Sequence, residues 1–475
     1  MLDPLRIAGL LQRQFPYEPT LGQIQLIRKL ADFLTKEANR PLFILRGYAG
    51  TGKTTIVSAL VKILPYLNLK SVLLAPTGRA AKVLASYSGR QAFTIHKKIY
   101  RPVTTADGGI HMSLMQNLHT NTLFIVDEAS MVPDSNGASE AIFSGRNLLE
   151  DLFNYVYSGE KCSLLLLGDV AQLPPVGISN SPALDPKHLK NSYLMNPVGY
   201  ELTEVVRQAS ESGILVNATN IREMINSGKS DPPFFDLGGF KDIVKLNGAE
   251  LEELLQDLYS KGGNEESVVI TRSNKRANQF NQGIRNRVLF REEEIEAGDY
   301  LMVVRNNYFW LPKESAAGFI ANGDVIEVLA IRKRFEMYGM QFAKAFIRMV
   351  DYPEEKELEV LLLISTLHTE TPSMTWAENQ KFFNEIMQDY MDLTNKRNRF
   401  EKVKNSEHYN ALQVKFAYAL TCHKTQGGQW ENVIVDQGYL TDDMIDTEYL
   451  RWLYTAVTRA TKKLYLLNFK EEFYS

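Results

Sequence analysis

PLFILRGYAGTGKTT, residues 41 to 55, decides the fold. Its first half is a short apolar run with the composition of a buried strand. Its second half fits G-x-x-x-x-G-K-[ST] at Gly47, Gly52, Lys53 and Thr54. The following run, TTIVSALVKIL, reads as a helix. Strand, glycine-rich loop and helix in that order make a phosphate cradle. The loop must turn tightly and bring backbone N–H groups against phosphate oxygens, and glycine permits both. The helix N-terminus adds partial positive charge. Gly47, Gly50, Gly52, Lys53, Thr54 and Thr55 are the candidate nucleotide contacts. Lys53 is expected to reach the β- and γ-phosphates of ATP, and Thr54 to offer its hydroxyl to Mg²⁺.

Two further apolar runs end in polar residues. NTLFIVDEAS, residues 121 to 130, finishes on Asp127 and Glu128. Mg²⁺ takes hard oxygen ligands, usually one or two carboxylates, which suits Asp127. Glu128, one position on, can polarise an attacking water, so the pair favours hydrolysis over nucleotide storage. CSLLLLGDVAQLPPVG, residues 162 to 177, runs into Asp169 and Gln172. A glutamine there can hydrogen-bond both water and a γ-phosphate, and a plain polar loop closed by Pro174 and Pro175 explains the same residues.

Bulk composition sets the frame. The 475 residues suggest about three domains. With 44% hydrophobic and 23% charged residues the chain can bury real cores. A net charge of -3 argues against a generally basic nucleic-acid coat, not against a local basic groove. Cys162 and Cys422 are far apart, without metal-ligand spacing, and read as reduced thiols. The start, MLDPLRIAGLLQRQF, lacks a signal-peptide layout, and no apolar run approaches membrane-spanning length. A cytoplasmic protein without membrane partners is expected.

GYAGTGKTT, APTGRAAKVL, TIHK, VDEAS, GDVAQLPPVG, ELTEVVRQ, TCHKTQG and YTAVTRA occur in the order of the superfamily 1 helicase motifs. Their wording resembles the RecD-like and Dda-like branch, superfamily 1B, from about residue 19 to about 470. The resemblance implies an α/β fold with two RecA-like parallel-sheet cores of P-loop NTPase type that sandwich ATP. It implies core 1A at 1–85 and 121–200 with a hairpin domain, 1B, inserted at 86–120. It implies core 2A at 201–291 and 411–475 with an SH3-like β domain, 2B, inserted at 292–410. Gln23, or the nearby Gln25, matches the adenine-reading glutamine, and Gln172 matches the γ-phosphate sensor. Arg207 and Arg459 match the two arginines supplied by the second core; arginine stays charged and can stabilise a transferring phosphoryl group. Thr77, Thr94, His96, His423 and Lys424 match residues that hold DNA. Phosphate contacts of this sort grip without reading sequence, which suits a motor.

The implied function is ATP-dependent translocation on single-stranded DNA, 5′ to 3′, with unwinding of tailed duplexes, by a monomer working beside recombination or replication proteins. An ATPase clamp or motor subunit of a recombination or exonuclease complex is the alternative, and an RNA-directed helicase is another. One departure stands out. Relatives carry Ser-Glu or a similar pair after QG, whereas this chain has Gly428, Gln429 and Trp430. Gln429 offers the ribose a weaker, neutral hydrogen bond than glutamate. RPVTTADGGIHMSL reads as the hairpin of 1B. TRSNKRANQFNQGIRNRVLFR, residues 271 to 291, holds six basic and no acidic residues, which is either a solvated face or a DNA-backbone contact. In the helical stretch within 292–410, Trp376, Phe382, Phe383 and Tyr390 read as helix core.

Overall fold

The structure, a computed structural model, describes residues 3–104, 110–134, 146–206, 211–228, 231–263, 265–312, 315 and 317–474. The first sheet begins with β1 (Leu42–Gly47), β2 (Lys70–Ala75) and β3 (Ala92–Thr94). An antiparallel hairpin follows, β4 (Tyr100–Thr104) and β5 (Ile110–Leu114). The sheet is completed by β6 (Thr122–Val126), β7 (Ser163–Gly168) and β8 (Val198–Leu202). Its order is β3-β2-β6-β7-β1-β8, and every pairing is parallel. Parallel strands are covered by helices on both faces, which is why LFIL, TLFIV and LLLL are continuous apolar runs. The helix Lys53–Ile63 buries Ile56, Val57, Leu60 and Val61 against one of these faces.

That strand order positions the site. β6, β7 and β1 are neighbours, so the loop after β1, the acids after β6 and the turn after β7 leave the sheet side by side. In open parallel sheets ligand sites lie outside the carboxyl ends of the strands.

The second sheet comprises β9 (Ile243–Leu246), β10 (Ser267–Thr271), and three strands from the far end of the chain, β16 (Ala419–Thr421), β17 (Trp430–Asp436) and β18 (Ala460–Leu467). Its order is β16-β10-β17-β18-β9, again all parallel. Between β10 and β16 the chain builds a closed barrel from β11 (Tyr300–Val303), β12 (Val325–Met337), β13 (Met340–Met349), β14 (Leu358–Leu363) and β15 (Leu412–Phe416). The fold is α/β, with two RecA-like cores, an inserted hairpin and an inserted SH3-like barrel.

Hydrogen bonding draws some edges differently from the sequence. β3 lies inside the stretch 86–120 but pairs with β2, so it belongs to the first sheet, and the hairpin proper is 100–114. β8 carries the first sheet to Leu202. β15 begins after 411 but closes the barrel against β11, so the second core resumes at β16. Motif positions mark where chemistry resumes, while strand pairing marks where a body ends.

The helices Trp376–Gln388 and Lys396–Lys404 lie on the long β12–β13 hairpin, where Phe382, Phe383 and Tyr390 pack with Phe335 and Phe342. Trp376 departs from the expected core: as the first residue of its helix it is 74% exposed. Among the described residues no helix is long and apolar enough to cross a membrane.

Candidate nucleotide and nucleic-acid site

Gly50 and Gly52 take φ of 74° and 87°, a region glycine alone enters without strain. A Cβ on Gly52 would also lie 2.4 Å from the Gln23 amide nitrogen. Gly47 is crowded by Thr51, Lys53 and Leu202. Gly52 caps the Lys53–Ile63 helix without a side-chain bond, so first-turn N–H groups keep their donors for a ligand. Thr54 and Thr55 sit in that first turn, Thr54 exposed. Lys53 folds back, its Nζ donating to the carbonyls of Gly47 at 2.6 Å and Tyr48 at 2.9 Å. Gln23 braces the loop, its Nε2 donating to the Thr51 carbonyl at 3.1 Å while its Oε1 accepts from the Thr20 N–H. Gln25 instead accepts from the Tyr200 hydroxyl at 2.9 Å. Of the two glutamines, Gln23 is the one bonded to the loop.

Asp127 accepts from the Tyr87 hydroxyl and from the Glu128 N–H, one bond on each oxygen. Further lone pairs remain on both oxygens, and carboxylate and hydroxyl oxygens such as those of Asp127 and Thr54 are the hard ligands a divalent cation takes. Glu128 has φ of 50°, in the left-handed region, where a non-glycine residue carries about 1–3 kcal/mol of strain. Burial pushes its carboxyl up to about 7, against a smaller downward pull from Arg459. The Arg459 Nη1 lies 3.9 Å from the Glu128 Oε1. Arg459 is itself buried, donating to the carbonyls of Thr455 at 3.0 Å and Gly428 at 3.2 Å. Gln172 is buried too, and its Oε1 has no partner among the described residues. A buried acceptor left unmet costs about 1–3 kcal/mol, a cost that a bond from a water or ligand would remove. Arg207 lies outside the described residues.

Thr77, Thr94, His96, His423 and Lys424 all line one cavity of about 400 Å³. Thr77 and Thr94 each cap a helix, accepting from the N–H groups of Ala80 and Lys97 at 3.2 Å. Burial lowers His96 to about 4, so its ring is neutral at pH 7. Burial, with Lys415 nearby, lowers Lys424 to about 8. The cavity has three walls: the first core with the hairpin's Tyr100, the second core at 423–426, and the barrel at Asn306 and Phe319–Gly323.

Residues 22–224 match the AAA domain family, and residues 416–467 match the UvrD-like helicase C-terminal domain. The chain is 33% identical over 198 residues to the ATP-dependent RecD2 DNA helicase of Deinococcus radiodurans, covering 42% of this chain and 24% of that protein. It is 25% identical over 269 residues to the ATP-dependent DNA helicase dda of Enterobacteria phage T4, covering 54% and 55%. It thus spans about a quarter and about half of these two relatives. The Bacteroides Pif1 helicase in complex with ADP-AlF3 and ssDNA superposes with a TM-score of 0.45 at 16% identity, over 93% of this chain and 91% of that one. The C-terminal family match and both of these relatives carry the name helicase.

Several residues of the site carry no signal in the sequence. Tyr87 reaches Asp127 from 40 residues upstream, with no local signal. Arg79 lies inside a quoted motif and Trp430 just beyond another, yet only folding stacks the Arg79 guanidinium 4.1 Å above the Trp430 ring. Trp430 is thus a buried joint between the cores, while Gln429 beside it is exposed. The basic run 271–291 is largely spent within its own body. Arg276 pairs with Asp436 at 2.8 Å, Arg285 and Arg291 with Asp299 at 3.0 and 2.5 Å, and Arg287 with Glu252 at 2.5 Å.

Proposed function

We propose that the chain is an ATP-dependent DNA helicase that moves along single-stranded DNA, 5′ to 3′, and separates tailed duplexes. The observation that carries the reading is the pairing of a phosphate loop facing Asp127, Glu128, Gln172 and Arg459 with a cavity lined by all five expected DNA contacts. One segment links them. Gln172 lies in the turn after β7; the next residue, Leu173, accepts from the Gln426 Nε2 at 2.7 Å, and Gln426 lines the cavity.

In this reading Lys53 leaves the Gly47 and Tyr48 carbonyls to meet the β- and γ-phosphates of ATP. Gln23 holds the loop and reads adenine. Thr54 and Asp127 hold Mg²⁺, which neutralises phosphate charge when bound. Glu128 takes the proton of the attacking water. Gln172 offers its free Oε1 to that water. Arg459 stabilises the charge developing on the transferring phosphoryl group. Thr77, Thr94, His96, His423 and Lys424 grip the DNA backbone. RecD2 and Dda, named as ATP-dependent DNA helicases, support the activity; the direction rests on the family resemblance.

The test is strand separation with ATP and Mg²⁺ on duplexes bearing a 5′ tail, a 3′ tail or none. Unwinding of the 5′-tailed duplex alone, abolished by Lys53→Ala, is expected. DNA-stimulated hydrolysis without separation on any substrate would instead favour a clamp or motor subunit.

A further inference from the structure

The helix Thr447–Val457 of the second core is fastened to the first core at two consecutive residues. The Tyr454 hydroxyl accepts from the Ala49 N–H, inside the phosphate loop, at 2.9 Å. The same hydroxyl donates to the Asp169 Oδ2 at 2.6 Å. The other Asp169 oxygen accepts from the Ala171 N–H at 2.9 Å, so the carboxylate is fixed from both sides. One residue on, the Thr455 Oγ1 accepts from the Leu173 N–H at 2.9 Å. Tyr454 is 1% exposed and Asp169 also 1%, so these bonds form out of water, where they hold position most firmly.

The chain continues from this anchored turn straight into Arg459. The Arg459 guanidinium donates back to the Thr455 carbonyl at 3.0 Å, so its place is measured from the anchored turn. It ends 3.9 Å from Glu128. A phenol is well suited to this bridge, because one oxygen accepts from the loop and donates to the carboxylate at once. Phenylalanine would fill the same volume and make neither bond.

We propose that Tyr454 is a positioning residue of the nucleotide site: its hydroxyl ties the phosphate loop to Asp169 and so sets the helix that aims Arg459 at Glu128. This rests on the reading of that cleft as the ATP-hydrolysing site. Tyr454 touches neither nucleotide nor water in this scheme and acts through Arg459. Misplacing a catalytic group by about 1 Å can cost about a hundredfold in rate, so loss of one of two anchors should cost about tenfold.

The experiment measures ATP hydrolysis by the full chain with saturating oligo-dT for four proteins: unmodified, Tyr454→Phe, Arg459→Lys and the double variant. Thermal midpoints are recorded alongside. Tyr454→Phe is expected to lower kcat about tenfold and leave the KM for ATP within about twofold. In the Arg459→Lys background the same change should cost under about threefold, because the group that Tyr454 positions is already displaced. Thr455→Val, which removes the other anchor, should reproduce the kcat loss if Tyr454→Phe folds poorly. Unchanged kcat in Tyr454→Phe overturns the proposal. So does a rise in KM that accounts for the loss, or a full tenfold cost in the Arg459→Lys background. Absence of hydrolysis in the unmodified chain would strike the functional reading itself, whereas an active chain indifferent to Tyr454→Phe strikes only this role.

Discussion

At the scale of single residues, Glu128 concentrates the cost of the site. It follows Asp127, takes a left-handed backbone angle, and is enclosed enough that its carboxyl titrates near 7 rather than in the usual carboxylate range. As the proposed general base, Glu128 must be ionised to accept a proton, so activity is expected to grow as pH rises through that value. The kcat/KM for ATP is expected to climb about tenfold per pH unit below about 7 and to level off above it. Glu128→Gln should remove this limb and lower the rate about 10²- to 10⁴-fold, while retaining nucleotide binding. A pH–rate profile beside an equilibrium titration of a fluorescent ADP analogue checks both. A flat profile in the unmodified chain would remove Glu128 from the role of base. Much of this was legible in the sequence, because two acids after an apolar strand are a local pattern. The backbone angle, the Tyr87 bond and the position of Arg459 were not. Each depends on which strands become neighbours.

At the scale of elements, the barrel sits on the N-terminus of the helix Gly78–Ser88. Lys82 of that helix meets Asp351 at 3.3 Å. A Cβ on Gly78 would lie 2.3 Å from the Asp324 Oδ1, so this approach tolerates no side chain. Asp324 and Asp351 each keep one buried oxygen without a partner among the described residues. Burial, then the charge of Asp351, pushes the Asp324 carboxyl up to about 8. Its folded value therefore lies above its ordinary one. The folded chain holds a proton there that the unfolded chain releases. That contribution to stability is full below about pH 4 and is lost progressively as pH rises to about 8. The thermal midpoint should fall between pH 6 and 8, and Asp324→Asn should flatten that part of the slope. An equal slope in the variant would exclude Asp324 as its source. Asn322-Gly323-Asp324 announced itself in the sequence only as a turn. That the turn lands on a helix of the other core could not be read from it.

At the scale of the whole molecule, the cavity proposed to hold nucleic acid exists only because three bodies meet. Thr77, Thr94 and His96 come from the first core, His423 and Lys424 from the second, and Phe319 to Gly323 from the barrel. Arg79 over Trp430 closes the joint between the cores, a contact worth about 2 kcal/mol when desolvated. Lys424 loses hydration in this cavity, which a bound phosphate would offset. Lys424→Ala should weaken oligo-dT and mixed-sequence single strands alike. It should also reduce the slope of log affinity against log salt by about 0.7, the release of one counterion from a single strand. Titration by fluorescence anisotropy across a salt series measures this. A sequence-dependent loss, or an unchanged slope, would place Lys424 away from the backbone.

By itself the sequence determined what is local. The 41–55 stretch specified a strand, a loop that needs glycine and a helix, because backbone sterics and apolar periodicity act over a few residues. Ordered motifs specified two α/β cores and the polar residues that stand at the strand ends. Tertiary structure alone decided which distant groups share a site. Strand order brought β1, β6 and β7 together, and packing between bodies set Tyr454 on Ala49 and Asp169. It also paired four of the six basic residues of 271–291 with acids, two of them, Arg285 and Arg291, turned inward onto Asp299. Hydrogen bonds and ion pairs between residues hundreds of positions apart leave no periodicity in the chain. They are fixed only when sheets and barrel have buried their apolar faces and brought those groups within reach.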